Sequence, residues 1–119
     1  MNLQEVVTAL DLVSFTGKQD YSEVIPTCGY ASDLLSCVMA GAVHKSLWVT
    51  LQAHGNIVAV ATLLELSAVI ITEGASPDPV TIAKANEEGV ILLGTHNPTF
   101  YVIGKLWELG LRCKQEDPI

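Results

Sequence analysis

Basic residues are scarce in this sequence, which has six Lys and Arg against thirteen Asp and Glu and a formal net charge of -7. The six basic residues are scattered along the chain and form neither a run nor a stripe. Nucleic acids and anionic membranes bind positively charged surfaces. The scarcity of basic residues therefore disfavours both as main partners.

Charged residues of either sign are also few. They make up 16% of the chain, where about 25% is usual, and hydrophobic residues make up 50%. A chain of 119 residues forms one domain with one core, and this composition leaves apolar surface uncovered after folding. Because a partner subunit commonly covers such surface, we expect a homodimer.

Long hydrophobic runs and paired cysteines are missing as well. The longest apolar region, residues 57–71, is interrupted by Glu65 and Ser67, whereas a membrane-spanning helix needs about 20 apolar residues. The N-terminus is acidic and lacks the basic region of a signal peptide. The three cysteines are an odd number without close spacing, which argues against a disulfide framework. These absences favour a cytoplasmic protein.

Recognised catalytic motifs are absent too. The segment GAVHKS ends in Lys-Ser like a phosphate-binding loop, but it lacks the glycine before Lys45 and the preceding strand. No G-x-S-x-G elbow is present. A zinc site would need His54, His96 and a third ligand such as Glu73, but no H-x-x-x-H or C-x-x-C spacing supports one. We predict no catalytic residue and no metal site.

What the chain does contain is an alternation of strand and helix patterns. Strands are predicted at residues 47–51, 68–72 and 90–93. A further strand is predicted at residues 24–30, where Pro26 indicates an edge position or a late start. Helices are predicted at residues 2–10, from about 33, from 56, after Asp78-Pro79 and after Asn97-Pro98, and residues 13–21 as a turn. The alternation predicts an α/β fold with a mostly parallel sheet of about four strands and helices on its faces. We expect a single compact domain over residues 1–111, followed by a polar tail at 112–119.

Polar residues follow three of these strands, at the edge where parallel strands of an open sheet commonly bind ligands. Each group leads to the N-terminus of a helix, which carries partial positive charge and free N–H donors. We call this edge the carboxyl rim and predict that it binds a small anionic or nucleotide-like ligand. Its candidate ligand-binding residues are Gln52, His54, Gly55, Asn56, Thr72, Glu73, Gly74, Thr95 and His96. The alternative is that Asn56, Asp78 and Asn97 only cap helices.

Three stretches carry a resemblance to a known family. They read GYASDLLSCVMAGA, LWVTLQAHGNIVAVATLLELSAVIITEG and LLGTHNPTFYVIGKLWELGL, and the similarity spans about residues 3–111. They resemble DRTGG domains, which are similar to the N-terminal domain of HPr kinase/phosphorylase. The naming motif is not intact: Gln52-Ala53-His54 stands where its charged first part would fall, and Thr72-Glu73-Gly74 where its last part would fall.

The resemblance implies the α/β fold of the HPr kinase N-terminal domain, in a stand-alone, single-domain member of the family. It also implies a regulatory or assembly module that homodimerises. In HPr kinase the catalytic, phosphate-binding machinery lies in a separate C-terminal domain, so the resemblance does not imply kinase activity. It names no specific ligand, and the cofactor stays unassigned.

Three functions remain open from the sequence. The first is a non-catalytic module that senses a small ligand at the carboxyl rim. The second is an assembly subunit of a larger enzyme system with no small ligand. The third is a small enzyme that uses His54 or His96 as a general base with Glu73 as its orienter. We predict the first, because no catalytic motif converges in this sequence.

Overall fold

A computed structural model describes residues 1–17 and 20–115 of the chain. Helices and strands in this part of the chain follow one another in the order α1 (Leu3–Leu10), β1 (Val13–Ser14), β2 (Gly29–Ala31), α2 (Leu35–Gly41), β3 (Leu47–Thr50), α3 (Asn56–Leu63), β4 (Ala68–Ile71), α4 (Pro79–Glu88), β5 (Leu92–Gly94) and α5 (Thr99–Glu108). Among these described helices, none combines the length and apolar character needed to cross a membrane. The predicted tail is described only as far as residue 115, and residues 116–119 lie outside the described residues.

The strands form one sheet in the order β1-β5-β4-β3-β2. β2, β3, β4 and β5 run parallel, with Val49 beside Ile70 and Ile70 beside Leu93. The predicted mostly parallel α/β sheet is confirmed. Every residue of β3 and β4 is buried, as expected for strands covered by helices on both faces.

The fifth strand corrects the prediction of a turn at residues 13–21. β1 pairs antiparallel with β5, Val13 lying opposite Gly94 and Ser14 opposite Leu93. The Phe15 N–H continues this pairing by donating to the Leu92 carbonyl at 2.9 Å. A strand of two residues is too short to show the alternation that identifies strands in a sequence, so the turn prediction was wrong here.

The strand predicted at residues 24–30 starts late and lies at the edge of the sheet, as Pro26 indicated. β2 occupies only Gly29–Ala31. The residues before it contact other parts of the chain: the Val24 carbonyl accepts from Leu3 N at 2.8 Å, and Thr27 N donates to the Lys45 carbonyl at 3.0 Å. The predicted strand was therefore too long at its start, because this segment forms hydrogen bonds outside the sheet.

Helices cover the two faces of the sheet. One apolar core joins α1 and α5 to alternate strand residues such as Val49 and Ile70. A second core joins α2, α3 and α4 to the strand residues between them, including Trp48 and Ile71. Because successive strand side chains point to opposite faces, the two cores lie on opposite sides of the sheet. Because β3, β4 and β5 run in the same direction, their carboxyl ends lie at one common edge of the sheet.

Candidate functional site

The carboxyl ends of β3, β4 and β5 lie side by side at this edge. Parallel pairing continues just past the strands, since Thr72 N donates to the Thr50 carbonyl at 2.9 Å and Thr95 N to the Ile71 carbonyl at 3.0 Å. The premise of the carboxyl rim, that these strands run in the same direction, is confirmed. Which rim residues bind a ligand remains a prediction.

Hydrogen bonds join the turn after β4 to the turn after β5. Glu73 N donates to the Asn97 carbonyl and Gly74 N to the Thr95 carbonyl, each at 3.0 Å. Both turn residues have left-handed backbones, with φ of 61° at Glu73 and 75° at Gly74. A Cβ on Gly74 would lie 2.8 Å from Nδ1 of His96. The imidazole of His96 therefore rests directly on the glycine.

The N-terminus of α5 is held by groups from the turn after β4. Oε2 of Glu73 accepts from Thr99 N at 2.8 Å, and the hydroxyls of Thr72 and Thr99 are 2.6 Å apart. Pro98 precedes the helix and gives no side-chain cap. Asn97 does not cap α5, so that alternative reading was wrong. The cap comes from a residue 26 positions earlier in the chain, which is beyond the reach of local capping rules.

The other two helices at the edge begin differently. Gly55 stands at the N-cap of α3, and Asn56 is already the first helical residue, so the reading of Asn56 as a cap was also wrong. Nδ1 of His54 accepts from Asn56 N at 3.3 Å. Asp78 does cap α4, as the Asp-Pro pair predicted, with its carboxylate accepting from Thr81 N at 2.8 Å.

The capping bond shifts the ionisation of Asp78. Hydrogen bonds from the backbone N–H and the hydroxyl of Thr81 hold the pKa of Asp78 below its ordinary value of 3.8, and the nearby His54 lowers it further. The folded protein thus favours the charged carboxylate. Because the folded pKa is depressed, the resulting stabilisation is present above the unfolded pKa and disappears as the pH falls through the folded one.

We predict that Asp78→Asn shows this pH dependence directly. Asparagine caps helices about as well as aspartate but does not ionise. At neutral pH the variant is expected to be less stable than the unsubstituted chain, and the difference should shrink as the pH falls below 3.8 toward the folded pKa of Asp78. Urea unfolding of both chains from about pH 7 to about pH 3 measures it. A difference that stays constant over this range would contradict the assignment.

Asp33, which was not among the predicted site residues, joins the ends of β2 and β3 at the same edge. Its carboxylate accepts from the Thr50 hydroxyl at 2.7 Å and from Leu51 N at 2.8 Å. Nε2 of Gln52 donates to the Asp33 carbonyl at 3.2 Å. Asp33 follows β2 as the predicted residues follow their strands. That signal was overlooked because β2 was predicted to end earlier and Ser32-Asp33 was assigned to a helix start.

The candidate residues therefore fall into three neighbourhoods along the edge. Gln52 belongs with Asp33. His54, Gly55 and Asn56 lie at the start of α3, where Gly55 faces the hydroxyl of Thr81 on α4. In the third neighbourhood, the turn after β4 contacts both the turn after β5 and the start of α5. This neighbourhood contains Thr72, Glu73, Gly74, Thr95 and His96.

The charge of this edge is negative. Asp33, Glu73 and Asp78 all lie there, and the nine predicted rim residues contain no Lys or Arg. The carboxylates of Glu73 and Asp78 already occupy N–H donors of α5 and α4. Within residues 1–17 and 20–115, no group of three or more His, Cys, Asp or Glu side chains is arranged to hold a metal ion. The edge is thus better suited to accept hydrogen bonds from a ligand than to surround a phosphate.

Among the described residues, cavities lie elsewhere on the protein. One of about 770 Å³ is at the opposite end of the sheet, where Lys45, Ser67 and Ile91 precede their strands. A cavity of about 210 Å³ lies between β2 and α5, and one of about 180 Å³ lies near Ser46. None of the nine rim residues lines these three cavities, so they do not form part of the predicted site.

Comparison with known proteins identifies the fold. No protein-family profile matches the chain, and no curated protein sequence matches it. Its structure is similar to the crystal structure of the CBS and DRTGG domains of the regulatory region of Clostridium perfringens pyrophosphatase, complexed with the activator diadenosine tetraphosphate. The TM-score is 0.70 at 14% identity, over 86% of this chain and 44% of that one. The match is consistent with the fold of a DRTGG domain, and the chain spans less than half of the matched structure.

Proposed function

We propose that this chain is a non-catalytic regulatory module of the cytoplasm that homodimerises and binds a small nucleotide-like or phosphorylated metabolite at the carboxyl rim. The observation that carries the proposal is the contact between the turns after β4 and β5. It brings Glu73, Gly74 and His96 together at the start of α5. An acidic side chain near the carboxyl end of a parallel strand is well placed to accept from ribose hydroxyls.

The chemistry of the rim favours the nucleoside part of such a ligand. Its carboxylates accept hydrogen bonds from hydroxyl and amino groups but repel phosphates. His54 and His96 are both exposed and can face the ligand as donors or acceptors. The pyrophosphatase region with the similar fold was solved with a nucleotide activator, and this supports a nucleotide-like ligand here.

A second candidate function is an assembly subunit of a larger enzyme system. It is favoured by large apolar side chains that remain in solvent, among them Phe100 at 90% exposure and Val80 at 79%. A single domain rarely exposes apolar patches without a partner. For the third reading, an enzyme with a histidine base, Glu73 would have to orient His54 or His96. Its carboxylate instead accepts from Thr99 N.

We expect at least one of adenosine, AMP, ATP and diadenosine tetraphosphate to raise the melting temperature of the full chain. A ligand that binds only the folded state at 100 times its dissociation constant stabilises it by about 2.7 kcal/mol. For the ligand that shifts melting, His96→Ala should raise the dissociation constant at least about tenfold by calorimetry, a loss of roughly 1.4 kcal/mol.

The matched control is His44→Ala. His44 is also an exposed histidine, but it lies before β3 at the opposite end of the sheet and faces Glu65. This variant should bind the ligand like the unsubstituted chain. If none of the four ligands shifts melting, or if His96→Ala binds as tightly as His44→Ala, the proposed rim site is wrong. A dimer without any ligand would then favour the assembly function.

A further inference from the structure

Helix α5 has two apolar faces, and among the described residues only one of them packs against the rest of the protein. Val102 and Leu106 are buried against the sheet. Phe100, Ile103 and Trp107 share another face through their spacing along the helix and are 90%, 40% and 47% exposed. We call the surface formed by Phe100, Ile103, Gly104 and Trp107 the outer face of α5. A solvated helix face is normally polar, so this one points to a partner.

Gly104 lies in the centre of the outer face. A Cβ added there would meet no atom within 4 Å, so the described structure gives no packing reason for a glycine. In the interior of a helix, glycine is less stable than alanine. Small residues at a helix surface allow the backbone of a second helix to approach closely. The position of Gly104 therefore indicates a helix packed across the outer face.

A cavity of about 210 Å³ continues the outer face toward β2. Ile103, Trp107 and Leu111 line it, and its surface is predominantly apolar. Pockets that hold small-molecule ligands usually measure about 300–1,000 Å³, so this cavity is better matched to one inserted side chain. Phe100, which is 90% exposed, is an apolar side chain available for insertion on the same helix face.

We infer that the outer face of α5 packs antiparallel against the same face of a second copy of this chain. The inference rests on the homodimer of the proposed function and names its interface. A two-fold axis between Ile103 and Gly104 places Phe100 against the partner's Trp107, and Ile103 against the partner's Gly104. The large residue then meets the small one at the centre, and aromatic side chains meet at both ends. Such self-complementarity is what a two-fold interface requires.

Charge also favours this antiparallel arrangement. Two of the chain's six Lys and Arg residues, Arg112 and Lys114, follow the end of α5, whereas Lys105 pairs with Glu108 on the helix itself at 3.8 Å. Arg112 stacks on Trp107, 4.2 Å from the ring centre. In the antiparallel pair this basic end lies beside the partner's α5 start, where the acidic Glu73 is held. Opposite charges thus meet across the interface, and each copy brings positive charge toward the acidic rim of the other.

The available area is sufficient for a weak or moderate dimer. A stable interface buries roughly 800 Å² per partner. The exposed parts of Phe100, Tyr101, Ile103 and Trp107 supply on the order of 400–500 Å² of side-chain surface, given that aromatic side chains bury about 150–250 Å² each. The walls of the neighbouring cavity and the basic side chains contribute further area. We therefore expect dimerisation at micromolar concentrations.

Analytical ultracentrifugation of the full chain tests the interface. Phe100→Ser is expected to raise the dimer dissociation constant at least tenfold, because aromatic residues at such positions are typical hot spots. The control is Leu63→Ser, which replaces an apolar side chain of 64% exposure on α3 and should leave the constant unchanged. Gly104→Ala separates association from folding: it should raise monomer stability in dilute solution and weaken the dimer.

Two outcomes would overturn the inference, and they are distinguishable. If the unsubstituted chain is monomeric at every concentration, the homodimer of the proposed function fails together with its interface. If the unsubstituted chain and Phe100→Ser dimerise with the same constant, the homodimer stands but its interface is not the outer face of α5. A dissociation constant that rises with added salt would support the charge pairing across the interface.

Discussion

Replacing Trp48 with alanine is expected to remove a large part of the stability of this protein. Trp48 is the largest of the fully buried side chains, with no exposed surface in the core beneath α2, α3 and α4. Its indole N–H also donates to the Ser32 carbonyl at 2.9 Å. Truncating a buried tryptophan costs about 3–5 kcal/mol, and losing the hydrogen bond to the half-buried Ser32 carbonyl adds about 0.5–1.5 kcal/mol. A typical domain is stable by only about 5–15 kcal/mol.

Urea unfolding followed by circular dichroism measures this loss. The matched control is Trp107→Ala, which removes the other tryptophan of the chain, a residue 47% exposed on the outer face of α5. In dilute solution, where no dimer forms, this change should cost less than about 1 kcal/mol, as surface substitutions usually do. Equal losses in the two variants would contradict the core position of Trp48.

The interior of the sheet could be predicted from sequence because its signals are local. Residues 47–51 favour β structure and residues 68–72 form an apolar run typical of strands buried on both faces, and β3 and β4 lie within them. Asp78-Pro79 begins α4 as predicted, with Asp78 at the N-cap, and Gly89 stands at the C-cap. The two edge strands, β1 and β2, were harder to predict. β1 has only two residues, and β2 begins after a segment whose hydrogen bonds go to α1 and to Lys45.

The position of the rim could be predicted, but its internal contacts could not. Strand direction follows from the alternation of strands and helices, so the common edge of β3, β4 and β5 was accessible from sequence. The Glu73 cap of α5 spans 26 residues, and the Asp33 contact with Thr50 spans 17. Capping and turn rules apply to near neighbours in sequence. Glutamate also rarely adopts positive φ, so nothing local marks Glu73 as part of a left-handed turn.

Gly74→Ala is expected to cost about 2–3 kcal/mol, for two separable reasons. The left-handed backbone at φ 75° disfavours any residue with a Cβ by roughly 1–2 kcal/mol. In addition, the new Cβ would lie 2.8 Å from Nδ1 of His96, which forces the imidazole off the turn and adds a further overpacking cost of about 1 kcal/mol. Urea unfolding measures the total, and the rim ligand, once found, should bind more weakly to this variant.

Gly89→Ala isolates the backbone part of this effect. Gly89 has nearly the same φ, 72°, but nothing lies within 4 Å of its added Cβ, so only the cost of about 1–2 kcal/mol applies. His96→Ala in the Gly74→Ala background should recover the part of the stability loss that exceeds the backbone cost, because the clashing ring is gone. Residues in contact typically couple by about 0.5–3 kcal/mol. If both glycine variants lose the same free energy, and the double variant recovers nothing, His96 does not rest on the turn after β4. The proposed site would then lack the contact that brings Glu73 and His96 together.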